Sequence, residues 1–262
     1  MKVGFIGGGN MGGALIGGLT QKCCAPSDIA LYEKDAQKAA AFKEMGINTV
    51  ESASAAEAAS EIIVFSVKPN IIDSVLSEMS GDKNKIYLSI AAGVTVAHLE
   101  EMLGADKKIV RAMPNTPAQV GCGMTVISPN KNVDDEDIKK VKMLLSAVGM
   151  VQQMDEKFMS VATALHGSSP AYVYMFIDAM ADAGVKYGLT KQQALTLAAQ
   201  AVVGSAEMVL SCGEHPEKLK DNVCSPGGTT IAAVCDLEKN GFRGIVQSAV
   251  CACVAKADEM SK

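Results

Sequence analysis

Tryptophan is absent from this chain of 262 residues, and aromatic side chains make up only 4% of it. A sandwich or barrel draws its core from aromatic and β-branched side chains on a pleated surface. The abundance of Ala, Gly and Met here points instead to closely packed helices. No apolar run approaches the roughly 20 residues that a membrane span needs. The start, Lys2-Val3-Gly4-Phe5-Ile6, has no n-region, h-region or cleavage site. The expectation is a cytoplasmic protein with no export signal and no membrane association. Cysteine is plentiful, at eight positions, yet there is no CxxC pair and no zinc spacing. The thiols read as reduced and mostly buried, with no metal expected. Net charge is −5 and the basic residues are scattered, so nucleic acid is not expected as a partner. No Ser/His/Asp elbow is present.

What is present begins at once. Val3–Ile6 is a buried-strand pattern, followed by Gly7-Gly8-Gly9-Asn10-Met11-Gly12 and then by Ala14-Leu15-Ile16 at helical spacing. A GxGxxG run that follows a strand and opens a helix is a dinucleotide-binding arrangement. Gly7 allows the tight turn, Gly9 lets a pyrophosphate reach the backbone, and Gly12 lets helix and strand pack closely. The next strand, 29–32, runs into Glu33-Lys34. An acid at this place takes the ribose of NAD and a base accommodates the 2′-phosphate of NADP. With both side by side, NADPH and NADH stay open, and a solvated strand end would also account for the pair.

Further strands run into Ser66-Val67-Lys68-Pro69, into Ala91-Ala92-Gly93 and into Met113-Pro114-Asn115. Ligands of open α/β sheets sit outside such carboxyl ends, although Lys68 also reads as a plain surface lysine. Helices at 35–45 and 53–60 alternate with the first five strands. This predicts an α/β fold whose N-terminal Rossmann-type sheet is doubly wound and mostly parallel. Strands at 124–128 and 150–154 are expected around a helix at 136–147.

From about residue 155 the strand signals stop and the chain reads as helices, so two domains are expected, 1–155 and 156–262. Small and apolar residues along the helices near 173–187 and 195–209 predict a second subunit that covers them. A helix at 157–166 is expected to break at Gly167-Ser168-Ser169-Pro170, and the last helix is expected over 242–261. Between two further helices lies Asp221-Asn222-Val223-Cys224-Ser225-Pro226-Gly227-Gly228-Thr229-Thr230. Two glycines there permit close approach of a ligand to the main chain, a helix start offers free N–H groups to an anion, and a threonine hydroxyl can donate and accept. An ordinary capped loop remains the alternative. His98 and His215 read as surface residues, His166 as structural, and Asp178 with Asp182 as a solvated face.

Taken together, these stretches resemble the pyrroline-5-carboxylate reductase family over nearly the whole chain. Phe5-Ile-Gly-Gly-Gly-Asn-Met11, Ser66-Val-Lys-Pro69, Arg111-Ala-Met-Pro-Asn-Thr-Pro117, Gly167-Ser-Ser-Pro-Ala-Tyr172 and Asp221 to Thr230 carry the resemblance in order. It implies reduction of Δ1-pyrroline-5-carboxylate to L-proline by NAD(P)H, and an all-α C-terminal dimerisation domain. It also implies a homodimer that assembles further, often as a pentamer of dimers, a decamer. By resemblance, Gly7 to Gly12, Ser66 to Pro69, Ala92, Gly93 and Asn115 line the cofactor. Ser225 and the main chain of Gly227, Gly228 and Thr229 hold the substrate carboxylate, and Thr230 hydrogen-bonds the ring nitrogen as the catalytic group. Three positions depart from the family pattern: His166 replaces a small residue, Ala53 an asparagine near the adenosine ribose, and Glu33 a residue that is neutral in some members. A related imine or β-hydroxyacid reductase, or a non-catalytic NAD(P)-sensing regulator, remains an alternative reading of the same residues.

Overall fold

The computed structural model describes residues 1–260. Eight strands form one sheet: β1 (Val3–Ile6), β2 (Ile29–Tyr32), β3 (Asn48–Thr49), β4 (Ile62–Phe65), β5 (Ile86–Ser89), β6 (Lys108–Met113), β7 (Gly123–Pro129) and β8 (Gly149–Gln153). Their order is β3-β2-β1-β4-β5-β6-β7-β8. All neighbours are parallel except β6 and β7, which are antiparallel. The order reverses at β1, which is the switch point of a doubly wound sheet. The two-residue β3 at the edge was not anticipated, because two residues carry no periodic signal.

The strands are apolar on both faces because helices cover both. Along β4, Ile62 and Val64 enter one buried cluster while Ile63 and Phe65 enter the other. The first cluster takes Leu15, Ile16 and Leu19 from α1 (Asn10–Lys22), and Val141, Leu144 and Leu145 from α6 (Asp135–Leu145). The second takes Ala53 and Ala56 from α3 (Ala53–Ala58), Ile72, Val75 and Leu76 from α4 (Ile72–Leu76), and Leu99 from α5 (Val96–Leu103). α2 (Ala36–Glu44) is capped by Asp35, whose carboxylate accepts the N–H groups of Gln37 and Lys38. Glu57, only 2% exposed, is made tolerable by three donors. The N–H of Ser80 lies at 2.7 Å, that of Gly81 at 3.2 Å and the Tyr87 hydroxyl at 2.5 Å. Burial, together with this bond to Glu57, holds the Tyr87 phenol well above its usual range.

The chain separates into two compact units, Met1–Ser168 with the chain from Val254 onward, and Ser169–Cys253. The stretch 156–168 therefore packs with the sheet. Met159 and Ala162 of the short α7 (Met159–Ala162) are buried with Val126 of β7. The helix expected over 157–166 is instead a 3₁₀ turn, Glu156–Phe158, the short α7 and a π-helical turn, Thr163–Gly167, and the chain bends at Ser168 before α8.

The second unit is helical. α8 (Ser169–Lys186) and α9 (Lys191–Cys212) pack along each other, closely enough that a Cβ on Gly184 would meet the Ala194 Cβ at 2.9 Å. Lys191 binds Asp178 and Asp182 at 2.6 Å each, so that pair of carboxylates is engaged and not merely solvated. α10 (Pro216–Val223), α11 (Thr229–Lys239) and α12 (Phe242–Met260) follow, and α12 ends in the first unit. The expected last helical residue, Ser261, lies outside the described residues.

Two expectations are corrected. α9 is long and apolar enough to cross a membrane by length and composition. In the sequence, Gln192, Gln193, Gln200 and Glu207 interrupt its apolar run, and only the helix assembles one segment. The thiols are all free but not mostly buried: Cys24 is buried, and Cys23, Cys122, Cys212, Cys235 and Cys251 are exposed. Three of these five lie on α9, α11 and α12, whose apolar faces the unit leaves uncovered, Leu197, Leu210, Leu237 and Ile245 among them.

Candidate active site

The glycine loop joins β1 to α1 at the switch point. Gly7 has φ +98°, a conformation that favours glycine, and its N–H bonds the Tyr32 carbonyl at 2.9 Å. Gly9 caps α1 with no side-chain hydrogen bond, so the first N–H groups of that helix stay available. A Cβ on Gly9 would meet nothing within 4 Å, whereas one on Gly12 would lie 2.5 Å from the Gly7 carbonyl oxygen and 2.8 Å from Ser66 Oγ. The three roles read from the sequence thus have three separate geometries: turn, open approach and tight packing. Gly8 lies between the Phe42 ring and Glu33, and Met11 packs against the core. Ser66 donates to the Gly7 carbonyl at 2.6 Å and ties the end of β4 to the loop.

Beside the loop is a cavity of about 340 Å³, lined by Gly7, Gly9, Glu33, Lys34, Ser66, Val67 and Lys68. The Glu33 carboxylate accepts the Gly8 N–H at 2.6 Å and the Asp35 N–H at 2.9 Å, which holds it against the loop. Lys38 and Ile71 also line the cavity and escaped the sequence reading. Lys38 could have been found as the residue one helical turn beyond Lys34. Among the described residues Lys34, Lys38 and Lys68 form no salt bridge, so three ammonium groups face the cavity against the single Glu33 carboxylate. An open approach beside free helix amides and unpaired ammonium groups fits a phosphorylated dinucleotide. Ala53, by contrast, is fully buried in the core beside β4 and lines no part of this cavity. Pro69 opens a short 3₁₀ turn behind Lys68.

Ala92 and Gly93 line a different, smaller cavity of about 50 Å³, with Met113, Thr163 and Met260. Next to it Asn115 is 9% exposed, and both ends of its amide are used. Nδ2 donates to the His166 carbonyl at 3.0 Å, and Oδ1 accepts from the Met124 N–H at 2.8 Å. Asn115 therefore ties β7 and the π turn to the carboxyl end of β6. His98 and His215 are where surface residues were expected. His98 bonds Asp73 at 2.7 Å, and His215 caps α10 by accepting the Glu217 N–H.

In the second unit, Ser225 to Gly228 turn the chain from α10 into α11. Gly227 has φ +66° and its side is open, with nothing within 4 Å of an added Cβ. Gly228 caps α11 without any side-chain hydrogen bond, and a Cβ there would lie 2.3 Å from Ser225 Oγ. The capped-loop alternative would have one of these hydroxyls closing the helix start; none does. The amides of Thr229 and Thr230 therefore begin α11 uncapped, and the Ser225 hydroxyl lies beside them. The far ends of α10 and α11 are stapled by Arg243, which binds Glu217 and Glu238 at 2.7 Å each. Lys220, then Arg243, hold the Glu217 carboxyl down to about 2.

A doubly wound sheet with an open glycine loop at its switch point, followed by a helical unit, defines a Rossmann-type dinucleotide-binding protein. Comparison with known proteins narrows the class. Residues 156–260 match the pyrroline-5-carboxylate reductase dimerisation family, and residues 2–93 the coenzyme F420-dependent NADP oxidoreductase family. The chain is 49% identical over 265 residues to a pyrroline-5-carboxylate reductase of Escherichia coli K12, covering 100% of this chain and 98% of the relative. It superposes with a TM-score of 0.94 and 35% identity on a pyrroline-5-carboxylate reductase from Coxiella burnetii, covering 100% of this chain and 98% of that one. A Plasmodium falciparum pyrroline carboxylate reductase with NADP bound gives a TM-score of 0.89 at 38% identity, again over 100% and 98%. The chain belongs to the pyrroline-5-carboxylate reductase family.

Proposed function

We propose that this chain reduces Δ1-pyrroline-5-carboxylate to L-proline with NADPH or NADH, in the cytoplasm and as a homodimer that assembles further. The observation that carries the reading is the pair of uncapped helix starts, each beside a glycine open to a ligand, in a chain that its relatives match end to end. Residues 1–155 serve the cofactor, joined by the stretch 156–168 that packs with the sheet, and the helices that follow serve the substrate and dimerisation. The start of α1 takes the diphosphate, while Glu33, Lys34 and Lys38 serve the adenosine ribose end. Ser66, Val67, Lys68 and Pro69 border the same cavity, and Ala92, Gly93 and Asn115 shape the edge beyond it. When bound, the reduced nicotinamide supplies the hydride.

Ser225 and the N–H groups of Gly227 and Thr229 take the substrate carboxylate at the positive end of α11, while the Gly228 N–H, expected to join them, instead donates to the Ser225 carbonyl at 3.0 Å and closes the turn. That fixes the five-membered ring, and the Thr230 hydroxyl hydrogen-bonds its nitrogen. No strong acid or base is required, since an iminium carbon is already electrophilic. Positioning and electrostatics are what the protein contributes. The test is oxidation of NADPH and of NADH on adding pyrroline-5-carboxylate. Turnover supports the reading. Binding of cofactor without turnover would leave a sensor, and turnover only with other imines or hydroxyacids would leave a related reductase.

A further inference from the structure

His166 is unlike the other two histidines. Both of its ring nitrogens are sealed from solvent, and neither has a hydrogen-bond partner among the described residues. A buried polar atom without a partner costs free energy and calls for an explanation. The only influence on its titration is burial, which lowers its pKa and keeps the ring neutral at pH 7. A neutral imidazole has one N–H to donate and one lone pair to accept.

The position of His166 indicates what would satisfy it. It lies on the π-helical turn Thr163–Gly167, and such turns recur at functional sites. The turn is held to the carboxyl edge of the sheet at two points. Asn115, just beyond β6, donates to the His166 carbonyl at 3.0 Å, and a Cβ on Gly167 would lie 3.2 Å from Met113 Cε. Met113 and Thr163 in turn line the small cavity with Ala92 and Gly93. A dinucleotide whose diphosphate sits at the β1 loop places its adenosine on the β2 side, where Glu33 and the lysines are. Its other half then lies over the carboxyl ends of β4, β5 and β6. The π turn is fixed at that end.

We infer that His166 is a further cofactor-binding residue, its imidazole taking the carboxamide of the nicotinamide ring. This rests on the reading of the site given above. A carboxamide both donates and accepts, so it matches either tautomer of a neutral ring, whereas a carboxylate or phosphate could only accept its single N–H. The pairing orients the nicotinamide as well as holding it, which makes His166 a determinant of affinity at one end of the cofactor alone.

The test measures equilibrium binding of NADPH, NADH and 2′,5′-ADP, the last lacking the nicotinamide, to wild type, His166→Ala and His166→Gln. Loss of one hydrogen bond predicts roughly five- to tenfold weaker binding of both reduced cofactors by His166→Ala. Binding of 2′,5′-ADP should stay within about twofold of wild type, and His166→Gln, whose amide also donates and accepts, should recover most of the loss. In the 3-acetylpyridine analogue of NADP a methyl ketone replaces the carboxamide, and the alanine variant should weaken it less. Unchanged NADPH binding by His166→Ala overturns the inference. So does equal weakening of 2′,5′-ADP, which would mark a packing defect. A raised KM for pyrroline-5-carboxylate with cofactor binding intact would assign the ring to substrate and overturn it too. Wild-type turnover of pyrroline-5-carboxylate is scored separately, so a failure of the proposed reaction is distinguishable from a failure at His166.

Discussion

Gly9→Ala and Gly12→Ala differ by one methyl group each on the same loop, and they should fail in opposite ways. At Gly9 the backbone has φ −67° and ψ −170°, an extended conformation open to alanine, and the new Cβ meets nothing within 4 Å. Folding should lose no more than about 1 kcal/mol, the difference between glycine and alanine at a helix cap. The methyl group would stand in the space through which a diphosphate reaches the α1 amides. Cofactor binding should therefore weaken about tenfold or more, at least ~1.4 kcal/mol. At Gly12 the Cβ would lie 2.5 Å from the Gly7 carbonyl oxygen, and that carbonyl is held by Ser66 Oγ at 2.6 Å. Relief requires the loop and β4 to part, an overpacking cost of about 1–3 kcal/mol or more, seen as a Tm lowered by several degrees. Thermal melts and NADPH titration of both variants decide the matter. A Gly9→Ala protein that binds NADPH within twofold of wild type would refute placement of the diphosphate at this loop. A Gly12→Ala protein that melts with wild type would refute the packing argument.

Thr230→Ala should lower kcat/KM for pyrroline-5-carboxylate by 10–100-fold, the ~1.4–2.8 kcal/mol of one lost contact, with cofactor binding unchanged; unaltered steady-state kinetics would remove Thr230 from the mechanism. Glu57→Ala strands the donors of Ser80, Gly81 and Tyr87 in the interior, and urea unfolding should register a loss of about 3 kcal/mol or more. Glu217 has its folded-state pKa depressed from 4.5 to about 2, so its stabilising contribution is complete above pH 4.5 and declines as pH falls toward 2. Wild type should lose stability over that window more steeply than Glu217→Gln, and parallel pH profiles would show that the Arg243 staple contributes nothing.

Most of the fold was legible because its signals are local. Strands buried on both faces read as short continuous apolar runs, and each run here stops at a glycine, proline or polar turn. The glycine loop was legible for the same reason, since turn, approach and packing fall within six consecutive residues. Features that depend on contacts between distant segments were not legible. β3 exists only because β2 offers it an edge. The π turn at 163–167 interrupts the helix expected over 157–166, because Asn115 and Met113 hold that segment against the sheet. Lys38 joins Lys34 at the cavity only once α2 has formed, and Ala53 leaves the adenosine end because α3 turns it into the core.

The sequence by itself determined the class of protein, the cofactor loop and the Ser225–Thr230 turn. Those properties reside in backbone freedom and in the order of neighbouring residues, which a linear chain displays. Tertiary structure alone decided which polar groups have partners. Asp178 and Asp182, read as a solvated pair, share Lys191. Glu33, read as a free ribose ligand or a solvated end, is held by two main-chain amides. His166, which looked structural, is half-buried, with both ring nitrogens shielded and neither satisfied among the described residues. Hydrogen-bond partners come from residues far apart in the chain, so their presence or absence is settled only when the segments meet.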